Sequence, residues 1–363
     1  MENRYPSLEI NLAYLKSNCD VVLKKCKALG IDIAGVTKGA SGNPGVTEVM
    51  DNAGFIYVCS SRLEHLIEAK KAGAKTPLMM IRIPLLSEVE DLVKWTDCSL
   101  VSELVTIKAI NEAAKKLGKV YDVLMMIDVG DLREGYWDKE EAAEAALTVE
   151  RELKNVHLLG VGLNVGCVGA VVATKDKIQE LVDAAELIEA KIGRKLEYIS
   201  GGASSSLMRV WDNDMPARVN MLRLGENLLT AEDLGKVYHY DTSELHQDVF
   251  VVRAEIVELK DKPSKPIGQY SVDAFGHTPD FKDRGIRRRC IIALGNADYA
   301  YMDQLIPLDE GIELIGSSSD HTVIDIQNAK RDLKVGDILS FGVNYKTMIF
   351  LTNSPNVHIK YIK

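Results

Sequence analysis

Up to about residue 224 the chain alternates short apolar runs with longer segments of helical spacing, and soon afterwards the alternation stops. The runs are residues 31–37, 55–59, 77–83, 98–101, 121–128, 156–164, 196–200 and 219–224, eight in all. Between them, segments such as 61–72, 87–95, 103–117, 139–153 and 174–192 carry apolar residues at helical intervals. Apolar runs this short, bounded by turn residues, read as buried strands. Parallel strands need a crossover of a dozen residues or more, usually a helix. Eight such units over roughly 200 residues suggest a (β/α)8 TIM-like barrel, with an open doubly wound sheet as the alternative.

Ahead of the first run, residues 8–29 read as an amphipathic helix on Leu8, Leu12, Leu15, Cys19, Val22 and Leu29. From about residue 240 the runs become β-like and turn residues such as Gly285, Gly311, Gly336, Asn353 and Pro355 separate them. Residues 249–259, 286–294, 312–315, 322–326, 337–341, 347–351 and 357–362 are expected as strands of an all-β domain without a clear helix. The expected division is a barrel over 1–236, whose first few residues pack on the β domain, and a C-terminal β domain over 237–363.

A chain of 363 residues has room for two cores, and 46% hydrophobic with 27% charged residues is the balance of a globular protein. The net charge of -9 and the brevity of the one basic cluster, Arg284 to Arg289, argue against nucleic-acid binding. The first six residues have no apolar core of a signal peptide, and no run approaches membrane-spanning length, so a cytoplasmic protein off the membrane is expected. The six cysteines show no Cys-x-x-Cys pair and no zinc-like spacing, so reduced thiols and no metal are expected.

In a barrel the functional face collects the C-terminal ends of the strands. Lys38 ends the first. Asp128-Val129-Gly130-Asp131-Leu132-Arg133 follows the fifth, and Asn164-Val165-Gly166-Cys167-Val168-Gly169 the sixth. Gly201-Gly202-Ala203-Ser204-Ser205-Ser206 follows the seventh, and Arg223-Leu224-Gly225-Glu226-Asn227 the eighth. A lysine among apolar neighbours is poorly solvated, which favours its neutral, nucleophilic form. Glycine and serine offer backbone and hydroxyl donors to a phosphate. A strand-end lysine opposite such a loop, with an arginine between, fits pyridoxal phosphate: the lysine forms the Schiff base and the arginine meets the ring nitrogen. An arginine cannot accept a proton there, which favours simple reprotonation of the substrate carbon over transamination.

These residues resemble the alanine racemase family of fold-type III pyridoxal-phosphate enzymes over nearly the whole chain. Val36-Thr37-Lys38-Gly39-Ala40 looks like the family's lysine motif. Asp128-Val129-Gly130 with Arg133 is similar to its Asp-Thr-Gly-Met-x-Arg segment, and Leu222-Arg223-Leu224-Gly225 to its pyridine-arginine motif. Gly295-Asn296-Ala297-Asp298, Ser319-Asp320 and Val335-Gly336-Asp337 resemble signatures of its β domain. The resemblance implies cofactor contacts at Lys38, Asn164, Ser204, Ser205, Arg223, Gly225 and Tyr345. It implies substrate contacts at Arg133 and Asp320, and a head-to-tail homodimer with shared active sites.

The departures from that pattern narrow the substrate. Gly42 stands where the family has a tyrosine, Asn164 where it commonly stacks a histidine, and Phe275 where it has a second catalytic tyrosine. Asn164–Gly169 and Asp273–Gly276 are closer to the ornithine racemase branch, which implies ornithine or another basic amino acid. Glu226, Asp298 and Asp320 are the candidate partners for a substrate ammonium. Since phenylalanine transfers no proton, Asp273 is the first candidate for the second base, with Cys167 and His277 behind it. Rival readings are a fold-type III basic amino-acid decarboxylase, which usually has a glutamate where Arg223 stands, an alanine racemase, and a non-catalytic cofactor carrier. The size of the β region argues against the carrier.

Overall fold

The computed structural model describes residues 4–272, 276, 278 and 280–363. The chain forms two compact units, one of Tyr14–Gln247 and one of Met1–Ala13 with Asp248–Lys363.

The amino-terminal segment departs from the expected single helix over 8–29. Ser7–Asn11 is strand β1, and the helix runs over Leu12–Ala28. In β1 Leu8 and Ile10 are fully buried while Glu9 and Asn11 are partly open, a period of two that a helix cannot produce. Five residues are too few for that alternation to outweigh the longer helical pattern behind them.

The larger unit is a closed parallel barrel of β2 (Asp32–Val36), β3 (Tyr57–Ser60), β4 (Leu78–Met80), β5 (Cys98–Val101), β6 (Tyr121–Met126), β7 (Val156–Gly162), β8 (Tyr198–Ser200) and β9 (Met221–Leu224). The TIM-like barrel expected from the eight runs is therefore the fold, and the open sheet is excluded. Pairing of Asp32 with Met221 through Gly35 with Leu224 closes the ring. Ala34, Val36, Tyr57, Cys59, Met79, Leu100, Leu124, Met126, Leu159 and Met221 form a buried cluster, largely alternate residues of their strands. Continuing that alternation one step carries β9 to Arg223, and two residues past Val36 the chain reaches Lys38. The expected helices appear at Leu63–Lys71, Val89–Trp95, Leu104–Lys116, Lys139–Glu152 and Lys175–Ile192. A further helix, Pro44–Asp51, starts from Asn43, whose side chain accepts the Gly45 and Val46 N–H groups at 3.1 and 3.3 Å.

In the other unit, β1 pairs antiparallel with β10 (Phe250–Pro263) and parallel with the last strand of the chain. The remaining strands are β11 (Ile286–Ile292), β12 (Leu305–Pro307), β13 (Glu313–Ser317), β14 (Thr322–Asp325), β15 (Ile338–Val343) and β16 (His358–Ile362). The order β12-β15-β10-β11-β14-β13, with β1 and β16 joined through β10, makes an eight-stranded sheet. The expectation of a strand at 347–351 and of no clear helix is corrected here, because Tyr345–Asn353 is a helix. Asn344 caps it by accepting the Thr347 N–H at 3.0 Å, and Thr347, Met348 and Leu351 bury one helical face.

Candidate active site

The barrel rim gathers Lys38, Arg133, Glu134, Cys167 and Arg223 into one electrostatic group. Lys38 opens a short helical turn, Lys38–Ala40, directly after β2. The residue is exposed, yet protein packs around its amine. That burial is the largest influence lowering its pKa from the ordinary lysine value; repulsion from Arg133 and Arg223 adds to it, and Cys167 and Glu134 oppose it. A lysine held in this way is more often a neutral amine than a surface lysine at the same pH.

Arg223 is buried on β9. It donates to the Ser200 hydroxyl at 2.5 Å and to the Leu163 carbonyl at 2.7 Å. A guanidinium carries five N–H donors, so these two bonds leave others for a further acceptor. Burial pulls its pKa down to about 10, with Glu134 and Cys59 acting against that fall.

The loop after β8 lies against the start of the next loop. The Ser204 hydroxyl accepts the Gly225 N–H at 3.3 Å, and the Ser205 hydroxyl donates to the Val165 carbonyl at 2.6 Å. Serine hydroxyls, the Gly225 backbone, a buried guanidinium and a desolvated amine thus share one rim. That donor set suits a group with a phosphate, a ring nitrogen and an aldehyde, as pyridoxal phosphate has. With Lys38, Arg133 and Arg223 against the single carboxylate of Glu134, the group is net positive, which favours an anionic ligand.

Asp131, which the sequence reading did not single out, holds the loop after β7. It is 1% exposed, and its carboxylate accepts N–H groups from Gly166, Cys167, Val168 and Val171 at 3.1, 3.4, 3.0 and 3.2 Å. Burial alone would raise its pKa, but the surrounding N–H donors, Val171 and Gly169 foremost, outweigh it and hold the carboxyl below its usual range. Cys167 is exposed on that loop, and Arg133 donates to its sulfur at 2.9 Å. Asn164 is half-buried just beyond β7.

At Gly42 the missing tyrosine has a local cause. The residue has φ +65°, and a Cβ there would lie 2.5 Å from the Cβ of His65. His65 fills the space, its Nδ1 2.9 Å from the Ser60 hydroxyl, and burial lowers its pKa.

Several sequence candidates lie elsewhere. Asp273, Phe275 and His277 fall outside the described residues. Tyr345, at the start of its helix, and Asp320, which accepts the Ser319 hydroxyl at 2.6 Å, belong to the β unit. Asp298, in the same unit, accepts the Ser354 hydroxyl at 2.7 Å. Glu226 accepts Thr230 Oγ1, Glu232 N–H and Asp233 N–H at 2.8, 2.6 and 3.1 Å, and burial followed by Asp233 repulsion raises its pKa to about 7. It is a brace for its own loop. Among the described residues no group of three His, Cys, Asp or Glu could hold a metal, and no helix is long and apolar enough to cross a membrane.

A family model described as alanine racemase, N-terminal domain, matches residues 10–232. Over 345 residues the chain is 38% identical to an ornithine racemase of Acetoanaerobium sticklandii, covering 95% of this chain and 96% of that one. Over 357 residues it is 36% identical to a lysine racemase of Thermotoga maritima, covering 98% of each. The solved structure of an alanine racemase from Bartonella henselae with covalently bound pyridoxal phosphate superposes with a TM-score of 0.75 at 13% identity, covering 99% of this chain and 100% of that one, a likeness of fold.

Proposed function

The chain belongs to the alanine racemase family, and from that premise we propose that it is a pyridoxal-phosphate-dependent racemase of a basic amino acid, ornithine foremost. Pyridoxal phosphate, when bound, supplies a carbonyl that condenses with amines and a ring that draws electrons from the α-carbon.

Lys38 would hold the cofactor covalently. Its amine would also take and return the α-proton on one face of the substrate. The depressed pKa suits that task, because a base works best when its pKa lies near the working pH. Arg223 would donate to the ring nitrogen and, since a guanidinium does not accept a proton, would leave it unprotonated. Ser204, Ser205 and Gly225 would take the phosphate, and Asn164, on the loop after β7, would be a further contact of the cofactor. Arg133, as a cation on the rim, would receive the substrate carboxylate.

Inversion needs a second proton carrier on the opposite face. Asp273 is our first choice and Cys167 the second; the exposed sulfur of Cys167 near Arg133 supports keeping it. We further propose a head-to-tail homodimer with shared active sites, working in the cytoplasm. The substrate class rests on the relatives' names, ornithine and lysine, both amino acids with a distal ammonium.

The observation that carries the reading is the convergence on one rim of Lys38, just past β2, and the buried Arg223 of β9, the strand paired to β2 as the barrel closes. The test follows circular dichroism of L-ornithine and L-lysine with the cofactor-loaded protein, together with carbon dioxide release. Decay of the signal to zero without carbon dioxide is expected. A steady signal for both substrates, or a protein that acquires no cofactor absorbance on reconstitution, rejects the proposal.

A further inference from the structure

The loop after β6 carries one carboxylate into this group that the reaction above does not use. The chain from Asp128 to Gly135 turns back on itself: Tyr136 N–H donates to the Met126 carbonyl at 2.8 Å and Asp128 N–H to the Tyr136 carbonyl at 3.0 Å. Gly135 permits the return, since its φ is +130° and a Cβ would lie 2.6 Å from the Asp128 nitrogen. The residue just before it is Glu134, whose side chain keeps only 15% of its surface open. Both carboxylate oxygens accept N–H groups from Arg133. Glu134 also acts electrostatically on Lys38 and Arg223.

The other carboxylates of these rim loops each hold local backbone through at least one oxygen, although Glu226 Oε2 is buried without a hydrogen-bond partner among the described residues. Asp128 Oδ1 accepts the N–H groups of Gly130 and Leu132 at 2.8 and 3.2 Å. Asp131 is spent on the loop after β7, and Glu226 on residues 230–233. Glu134 differs from them in being held by the side chain of its neighbour, and Arg133 divides its donors between Glu134 and Cys167.

Resting on the reading of a basic amino-acid substrate, we propose that Glu134 selects it, accepting the distal ammonium while Arg133 turns to the substrate carboxylate. The exchange leaves no charge alone. In the resting site the guanidinium neutralises Glu134, and in the loaded site the substrate's two charges replace that internal pair. A neutral side chain of the same length leaves Glu134 buried against a methyl group, which is costly. The site therefore discriminates against norvaline, which is ornithine without its ammonium.

The test uses the holoenzyme and two variants, Glu134→Gln and Glu134→Leu, the first nearly the same shape in case the second does not fold. Racemisation of ornithine and of norvaline is measured for each, and binding of α-methylornithine, which has no α-proton, is followed by calorimetry. The expected result is that the ornithine-to-norvaline ratio of kcat/KM falls about 100-fold and the Kd for α-methylornithine rises by a similar factor. If both substrates decline together and the ratio stands, Glu134 only orients Arg133 and the inference is overturned. If the unaltered enzyme does not racemise ornithine or lysine, the substrate reading itself fails, an outcome separable from the first.

Discussion

Removing the carboxylate of Asp131 should loosen the rim loop that bears Cys167. Asp131 is almost wholly buried and accepts four backbone N–H groups, three of them at 3.2 Å or less. Gly166, Cys167 and Val168 are exposed, so in Asp131→Ala water can take over part of their bonding. The full penalty for orphaned donors therefore does not apply. Counting about 1 kcal/mol for each of the three shorter bonds, Asp131→Ala should cost about 3 kcal/mol. Asp131→Asn should cost roughly half. Its oxygen can still serve Gly166, Cys167 and Val171, but an amide nitrogen would face the Val168 N–H.

The three tryptophans, 95, 137 and 211, all lie in the barrel unit, so urea unfolding followed by tryptophan fluorescence reports on that unit. Hydrogen exchange at residues 166–171 should speed up in both variants. Because the folded pKa of Asp131 is lowered, its contribution is present above the unfolded value of about 4 and is lost as the pH falls through the folded one. The gap between wild type and Asp131→Asn should therefore close in acid. Variants within about 0.5 kcal/mol of wild type with unchanged exchange would refute the reasoning, since that is the scatter of ordinary surface substitutions.

Lys38→Ala should abolish racemisation and the cofactor's covalent absorbance band; retained turnover would remove Lys38 from the chemistry. Arg223→Lys keeps the charge but loses the forked contacts with Ser200 and Leu163, and kcat should fall by about 10-fold or more, read from initial rates. Glu189 is buried and bound by Arg218 at 2.6 and 2.8 Å and by Lys195 at 2.6 Å. Burial opposes its ionisation, yet these partners, Arg218 first, bring its pKa to about 2. Glu189→Gln should cost about 3 kcal/mol near pH 7, a difference that fades from about pH 4.5 down toward 2 in acid unfolding curves. Thiol labelling with iodoacetamide, read by mass spectrometry, should reach Cys167 first, because burial pushes Cys19, Cys26 and Cys290 up to about 12 and Cys167 alone of the six is exposed.

What could be read in the sequence was local and periodic. Eight apolar runs at barrel spacing identified the strands; Lys38 stood out because it follows the end of the first, and Arg223 because it is a charged residue within the last. The motif order across the chain identified the family on the same residues. The departures at Gly42, Asn164 and Phe275 pointed toward basic substrates without any coordinates.

Tertiary structure decided whatever depends on a partner far along the chain. Ser7–Asn11 is a strand only because β10 and β16 lie on either side of it, and five residues cannot announce partners that distant. Asp131 and Glu134 stand in one short acidic stretch, and their composition does not separate them. The return of the chain from Tyr136 to Met126, and four N–H groups from the loop after β7, give the first to the scaffold and leave the second beside Lys38 and Arg223. Periodicity records which face a residue presents; a hydrogen-bond partner thirty or more residues away is settled only when the chain closes.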